Sequence, residues 1–331
     1  MRIPGAGSPS ESPDGRRAGA VGALAADKLA EEVLDSISSA RRMKCPELMT
    51  RRRCLREGVM LTSVALVAPL ARAFAVLKPE ARFGGFPMGI QSYSLRHLEL
   101  NAALDAVVEL GLHHVELYGR HLSPQASDAE IARVLESLQR RDIAISAHGV
   151  NRFSADHISN RKLFEFAHRA GIRNLSADPD PDDATFESLD RLVAEFGVRI
   201  AIHNHGPRHH WGTPELILEA LEGRHPDIGV CADLGHFLRA DIDPVAALES
   251  FRGRLFGVHL KDFAERREDA EGVVVGQGHL DLEAVFAMLR AVDFPADGAL
   301  SLEYEELNPM AAIRECLQAV SIAAQGIESG P

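Results

Sequence analysis

Val198-Arg199-Ile200-Ala201-Ile202-His203, Thr213-Pro214-Glu215-Leu216-Ile217-Leu218-Glu219-Ala220-Leu221 and Ile228-Gly229-Val230-Cys231-Ala232-Asp233 follow one another along the chain. The outer two are short, apolar and rich in β-branched residues, as buried strands are. The middle one opens on Thr-Pro, a helix start, and continues with apolar residues at helical spacing. The three read as strand, helix, strand, and each strand closes on a side chain able to hold a metal or move a proton.

The same alternation extends outward over the chain from residue 88. Strand candidates are Gly89–Tyr93, His114–Tyr118, Ile143–Ala147, Ile172–Ser176, Val198–His203, Ile228–Asp233, Leu255–Leu260 and Ala299–Glu303. Between them lie helical patterns, with apolar faces at Ala102-Ala103-Val107-Leu110, Ile131-Val134-Leu135-Leu138 and Leu216-Leu218-Leu221. Ser127-Asp128, Thr213-Pro214, Asp243-Pro244 and Asn308-Pro309 mark helix starts, and Gly111, Gly171 and Gly197 mark helix ends. Strict β-α alternation implies a parallel sheet. Eight such units over about 240 residues predict a closed (β/α)₈ TIM barrel, with eight parallel strands inside and the helices outside. An open doubly wound sheet would carry a glycine-rich phosphate turn after its first strand, and Gln91-Ser92-Tyr93-Ser94-Leu95 is not one.

The barrel accounts for residues 86–325 of a 331-residue chain. Net charge is −12, unevenly spread: residues 1–75 hold 12 basic and 8 acidic residues, leaving 24 basic and 40 acidic for the rest. So acidic a domain repels phosphate backbones and anionic membranes, which excludes nucleic acid and lipid surfaces as expected partners. The four cysteines, Cys45, Cys54, Cys231 and Cys316, show no C-x-x-C spacing, so neither a disulfide framework nor a cysteine zinc site is indicated. Residues 1–48 read as a disordered extension, or as sequence upstream of a true start at Met49. Residues 49–75 have a basic segment around Arg51-Arg52-Arg53, an apolar run Val59–Leu70 and a small-x-small end, Ala73-Phe74-Ala75. This order resembles a twin-arginine export signal, implying a periplasmic or secreted protein; a basic amphipathic helix is the alternative, with a cytoplasmic protein. The apolar run is too short to span a membrane.

In such a barrel the chemistry lies at the C-terminal strand ends. Those ends carry Glu116, His148, His203 with His205, Asp233 with His236, His259 with Lys261, and Glu303 with Glu305. A single histidine or glutamate at a strand end is usually structural. Four consecutive strands ending in His, Asp or Glu are different, because barrel closure brings them around one pocket where they are costly to bury without a cation. His203, Asp233, His259 and Glu303 are therefore the expected ligands of one divalent ion. A thiolate-free shell suits Mn²⁺, Co²⁺, Zn²⁺ or Mg²⁺, and the imidazoles favour Mn²⁺ or Zn²⁺ over Mg²⁺. Cys231 is read as a small core residue deeper in the barrel. Trp211, in His209-His210-Trp211-Gly212, either stacks on a substrate ring over the pocket mouth or packs the loop.

Ile202-His203-Asn204-His205, Asp233-Leu234-Gly235-His236 and Val258-His259-Leu260-Lys261-Asp262 resemble the strand-end motifs of the xylose isomerase-like barrels, the sugar phosphate isomerase/epimerase family. Val115-Glu116-Leu117, Gly276-Gln277-Gly278-His279-Leu280-Asp281 and Leu302-Glu303-Tyr304 extend the likeness. The resemblance implies one metal held by strands five to eight, typically by Glu, Asp, His and Glu. Here the first ligand is His203, or alternatively His205, which departs from the two-glutamate acid–base arrangement of family epimerases. The implied function is isomerisation or epimerisation of a ketosugar, keto-glycoside or polyol through a metal-stabilised enediolate. In that scheme Glu303 is the base, His236 or Lys261 protonates or orients oxygen, and Glu116, His148, His205 and Trp211 bind substrate. Loss of a β-substituent would make the same site a lyase or dehydratase. An endonuclease IV-like DNA repair enzyme shares the Asp-x-x-His segment but needs an Asp-x-His pair after strand seven, where this chain reads Lys261-Asp262-Phe263. A non-catalytic sugar-binding barrel is the remaining alternative, and a homodimer is compatible with the family.

Overall fold

A computed structural model describes residues 81–306 and 309–326. The expected extension (1–48), the expected signal (49–75) and the cap residue Asn308 lie outside them. Among the described residues no helix is long and apolar enough to cross a membrane.

The barrel strands are β1 (Met88–Gln91), β2 (His114–Leu117), β3 (Ala144–Phe153), β4 (Asn174–Pro179), β5 (Arg199–His203), β6 (Ile228–Asp233) and β7 (Leu255–Leu260). A short antiparallel ribbon, β8 (Asp262–Phe263) with β9 (Gly272–Val273), follows, and β10 (Ala299–Leu302) is the eighth barrel strand. The ring runs β1-β10-β7-β6-β5-β4-β3-β2 and closes through parallel β1–β2 pairing, with Gln91 opposite Glu116. Strands β4, β6 and β7 are buried at every residue, as strands enclosed on both faces must be.

The outer helices are α1 (Leu100–Glu109), α2 (Asp128–Gln139), α3 (His157–Ala170), α4 (Asp183–Phe196), α5 (Pro214–Leu221), α6 (Leu234–Arg239), α7 (Pro244–Ser250), α8 (Leu282–Ala291) and α9 (Met310–Gly326). Their starts follow local chemistry. Ser127 and Glu130 form a capping box at α2, and Thr213 and Asp243 cap α5 and α7 ahead of prolines. Helices α3 and α4 end on Gly171 and Gly197, whose left-handed φ values of 68° and 63° suit glycine.

Three details differ from expectation. In α5 the buried residues are Pro214, Ile217 and Leu221, while Leu216 and Leu218 are 44% and 38% exposed. In α1 Ala103, Leu104, Ala106 and Val107 face inward and Ala102 does not. Strand β3 continues to Phe153 rather than stopping at Ala147, with its register on β4 shifting between His148 and Asn151. The continuation is not an apolar run. It is held by Asn151, which donates to His148 O and Ser176 O, and by burial of Phe153. A Cβ on Gly149 would stand 2.5 Å from the Ser176 Cβ, so glycine is what lets β3 approach β4 here.

Candidate metal centre

Asp233 ends β6 and caps α6. Its Oδ1 accepts the His236 N–H at 2.9 Å, as an N-cap carboxylate does, which turns Oδ2 toward the barrel axis. Asn204 locks this geometry from the neighbouring strand: its Oδ1 accepts Asp233 N–H at 2.7 Å and its Nδ2 donates to Asp233 O at 2.9 Å. Around Oδ2 stand His203 Nε2 at 3.5 Å, His259 Nδ1 at 3.8 Å and Lys261 Nζ at 3.2 Å. His203 Nε2 and His259 Nδ1 are 3.1 Å apart, and Glu303 Oε2, just past the end of β10, lies 2.9 Å from that Nδ1. The structure thus gathers His203, Asp233, His259 and Glu303, all buried, with one donor atom from each within 4.8 Å of the others. His205 is outside this quartet.

Lys261 Nζ also lies 3.2 Å from Glu303 Oε2 and 2.8 Å from Glu305 Oε1. Burial opposes its charge, but Asp233, Glu303 and Glu305 outweigh burial and hold its pKa well above the lysine value. Asp233 and Glu303 respond in kind. Burial alone would raise both; His236, Lys261 and His203 around the first, and Lys261 and His259 around the second, hold both below the carboxylate range. His205 and His236 move the other way. Burial, reinforced by neighbouring imidazoles and for His236 by Lys261, lowers them to about 4 and about 3, so both are neutral at pH 7. The two rings stack at 5.7 Å, and the buried Nδ1 of each lacks a hydrogen-bond partner among the described residues.

Three residues expected to bind substrate are buried and engaged within the protein. Glu116 is 0% exposed and spends its carboxylate on His259 Nε2 (2.9 Å), Ser301 Oγ (2.8 Å) and Ser176 Oγ (2.5 Å). Burial would raise its pKa, but His259 and the two serines hold it below the usual value. His148 is buried on β3, its Nε2 2.9 Å from Leu122 O and its ring edge-on to Phe166. Trp211 is also buried: its Nε1 donates to Pro179 O at 2.9 Å and its ring meets Phe186 edge-on. It packs the β5–α5 loop instead of covering the mouth, because its indole N–H finds a backbone acceptor there.

Asp178, at the end of β4, stands 3.1 Å from His210 Nε2 and 3.6 Å from His209 Nε2. A second cation is disfavoured at this trio. The Trp211 N–H donates to His209 Nδ1 at 3.2 Å, so the neutral ring carries its own proton on Nε2 and has no lone pair there for a metal. The trio anchors the loop.

Sequence patterns missed Asn204, Ser176, Ser301 and the work of Asp262. The buried Asp262 carboxylate accepts backbone N–H groups from Phe263, Gly276, Gly278, His279 and Leu280. It folds the Gly276–Asp281 segment back beside β7. Both segments were visible as motifs; that one binds the other was not.

A closed (β/α)₈ barrel with a buried His/Asp/Glu quartet at its C-terminal strand ends defines the class of protein. Residues 104–321 match the family described as xylose isomerase-like TIM barrel, and the chain belongs to that family. Among solved structures, an uncharacterised protein from Parabacteroides distasonis is 29% identical, with a TM-score of 0.57 over 70% of this chain and 97% of that one. The 3-keto-D-glucoside 4-epimerase of E. coli is 16% identical, with a TM-score of 0.56 over 72% and 99%. The probable 3-DHS dehydratase of petrobactin synthesis from Bacillus anthracis is 16% identical, with a TM-score of 0.58 over 71% and 98%. The last two show a shared fold. No curated protein matches the sequence significantly.

Proposed function

We propose that the protein is a divalent-metal-dependent enzyme that removes a proton α to the carbonyl of a ketosugar, keto-glycoside or polyol-derived ketone. The observation that carries this is the convergence of His203, Asp233, His259 and Glu303. Two buried carboxylates and two imidazole nitrogens 3.1 Å apart fit a cation, and Asp233 Oδ2 lacks a hydrogen bond of good geometry. When bound, a divalent ion supplies Lewis-acid polarisation of a carbonyl and its adjacent hydroxyl.

The chain's own groups do the rest. Glu303 has Oε2 turned to His259 and Lys261, while Oε1 has no hydrogen-bond partner among the described residues. Its depressed pKa keeps the carboxylate ionised, so Oε1 is available to take the α-proton. Lys261 stays an ammonium and places a proton donor beside the oxygen that gains negative charge. His205 and His236, neutral and each with a buried orphan nitrogen, orient hydroxyl groups.

One observation favours single-base outcomes, aldose–ketose isomerisation or loss of a β-substituent, over two-base epimerisation. Strand β5 presents His203 where a second glutamate would be needed, and Glu116 is turned beneath the site. The test is solvent-deuterium uptake by a panel of ketosugars and 3-keto-glycosides with Mn²⁺- or Co²⁺-loaded protein, with products identified. Exchange at a carbon adjacent to the carbonyl is expected. Asp233→Ala should lose both bound metal and exchange; full exchange in that variant would overturn the proposal.

A further inference from the structure

We infer that Glu116 is a positioning residue of the centre, fixing the tautomer and rotation of His259 so that the Nδ1 lone pair faces the metal ligands. This rests on the metal-centre reading above. Glu116 rises from β2, whereas the donors it receives come from Ser176 on β4, His259 on β7 and Ser301 on β10. One carboxylate thus ties together four strands across the barrel interior, directly under the quartet. An ionised carboxylate can only accept hydrogen bonds, so the His259 Nε2 at 2.9 Å must carry the proton of the neutral ring. The lone pair then falls on Nδ1, the atom 2.9 Å from Glu303 Oε2 and 3.1 Å from His203 Nε2. A carboxylate behind a ligating imidazole both orients the ring and raises its basicity.

Mere space-filling does not account for the charge. An isolated buried carboxylate is costly, and a serine-bonded amide of the same shape would fill the floor without that penalty. With no atom exposed, Glu116 touches no substrate.

The experiment uses Co²⁺ titration of the full chain, followed by its visible absorption, with thermal melting of the metal-free protein alongside. Glu116→Gln keeps shape and serine contacts and is expected to weaken Co²⁺ by about 10–100-fold, with the metal-free protein still melting in one cooperative transition. Ser176→Ala, which spares the His259 contact, should keep near-wild-type Co²⁺ affinity. Independently, ¹⁵N NMR of the Zn²⁺-loaded wild-type protein should show His259 protonated at Nε2. Wild-type Co²⁺ affinity in Glu116→Gln, or a proton on His259 Nδ1, overturns the inference and leaves the metal centre standing. Failure of the wild-type chain to bind Co²⁺ overturns the metal-centre reading and the inference with it.

Discussion

At the scale of single residues, Asp233 shows how a backbone rule prepares a chemical one. Capping α6 takes Oδ1, and that commitment aims Oδ2 at the axis. Asn204 then fixes the strand end through both backbone groups of Asp233. Replacing Asn204 with Ala would leave a buried N–H and a buried C=O unpaired. At roughly 1–3 kcal/mol for each orphaned group, a loss of about 2–6 kcal/mol of unfolding free energy is expected in denaturant titration. Weaker Co²⁺ binding should accompany it, and an unchanged unfolding midpoint would refute this role. The contrast between Asp233 and Asn204 marks what could be read from the sequence. His203, Asp233, His259 and Glu303 stand at strand ends, where periodicity alone places them on one rim. Asn204, Ser176 and Ser301 are ordinary polar residues whose importance lies wholly in partners 29 to 185 positions away. Glu116 was visible as a strand-end acid, but only the three donors around it show that it faces the floor and not the pocket.

At the scale of elements, helix termini were legible because caps are local chemistry: Ser127 before Asp128, Thr213 before Pro214, and Gly171 and Gly197 behave as their spacing demands. The exposed face of α5 was not, since a helix with apolar residues at 216, 217 and 218 does not say which of them meets the barrel. Nor was the second half of β3, which long-range bonds from Asn151 hold in place of hydrophobic pattern. Asp262 makes the element-scale prediction. Its carboxylate is the anchor for the 276–280 turn that leads into α8, and Gly278 is pressed so close that an added Cβ would lie 2.5 Å from Asp262 Oδ1. Asp262→Ala removes the acceptor from several backbone N–H groups at once. A loss of about 3 kcal/mol or more is expected on the cost of unpaired donors. Amide hydrogen exchange should speed up selectively over residues 274–280, and exchange unchanged there would show that the turn holds itself.

At the scale of the whole molecule, ring closure makes one electrostatic system of residues from β2, β5, β6, β7 and β10, and its sign structure sets how stability follows pH. In the metal-free protein, His205 titrates at about 4 and His236 at about 3, against about 6.5 for an unfolded histidine. Burial pushes His148 in the same direction. Between pH 4 and 6.5 the unfolded chain therefore binds more protons than the native one, and stability falls as the solution is acidified. His259 has the opposite sign. Burial resists its charge, but the ionised Glu116 carboxylate outweighs burial and raises its pKa well above 6.5. Its contribution is complete below pH 6.5 and is lost as pH rises toward the folded value. Asp233 and Glu303, with depressed values, lose their contribution only below about pH 4, beneath the histidine window. The metal-free protein should therefore be most stable near pH 6.5 and weaken on both sides in denaturant titrations. A bound divalent ion competes with the proton for His259 Nδ1, so saturating Mn²⁺ should raise the melting temperature and remove the decline above pH 6.5. A decline of equal slope with and without Mn²⁺ would mean that His259 does not meet the ion, whatever else the centre binds.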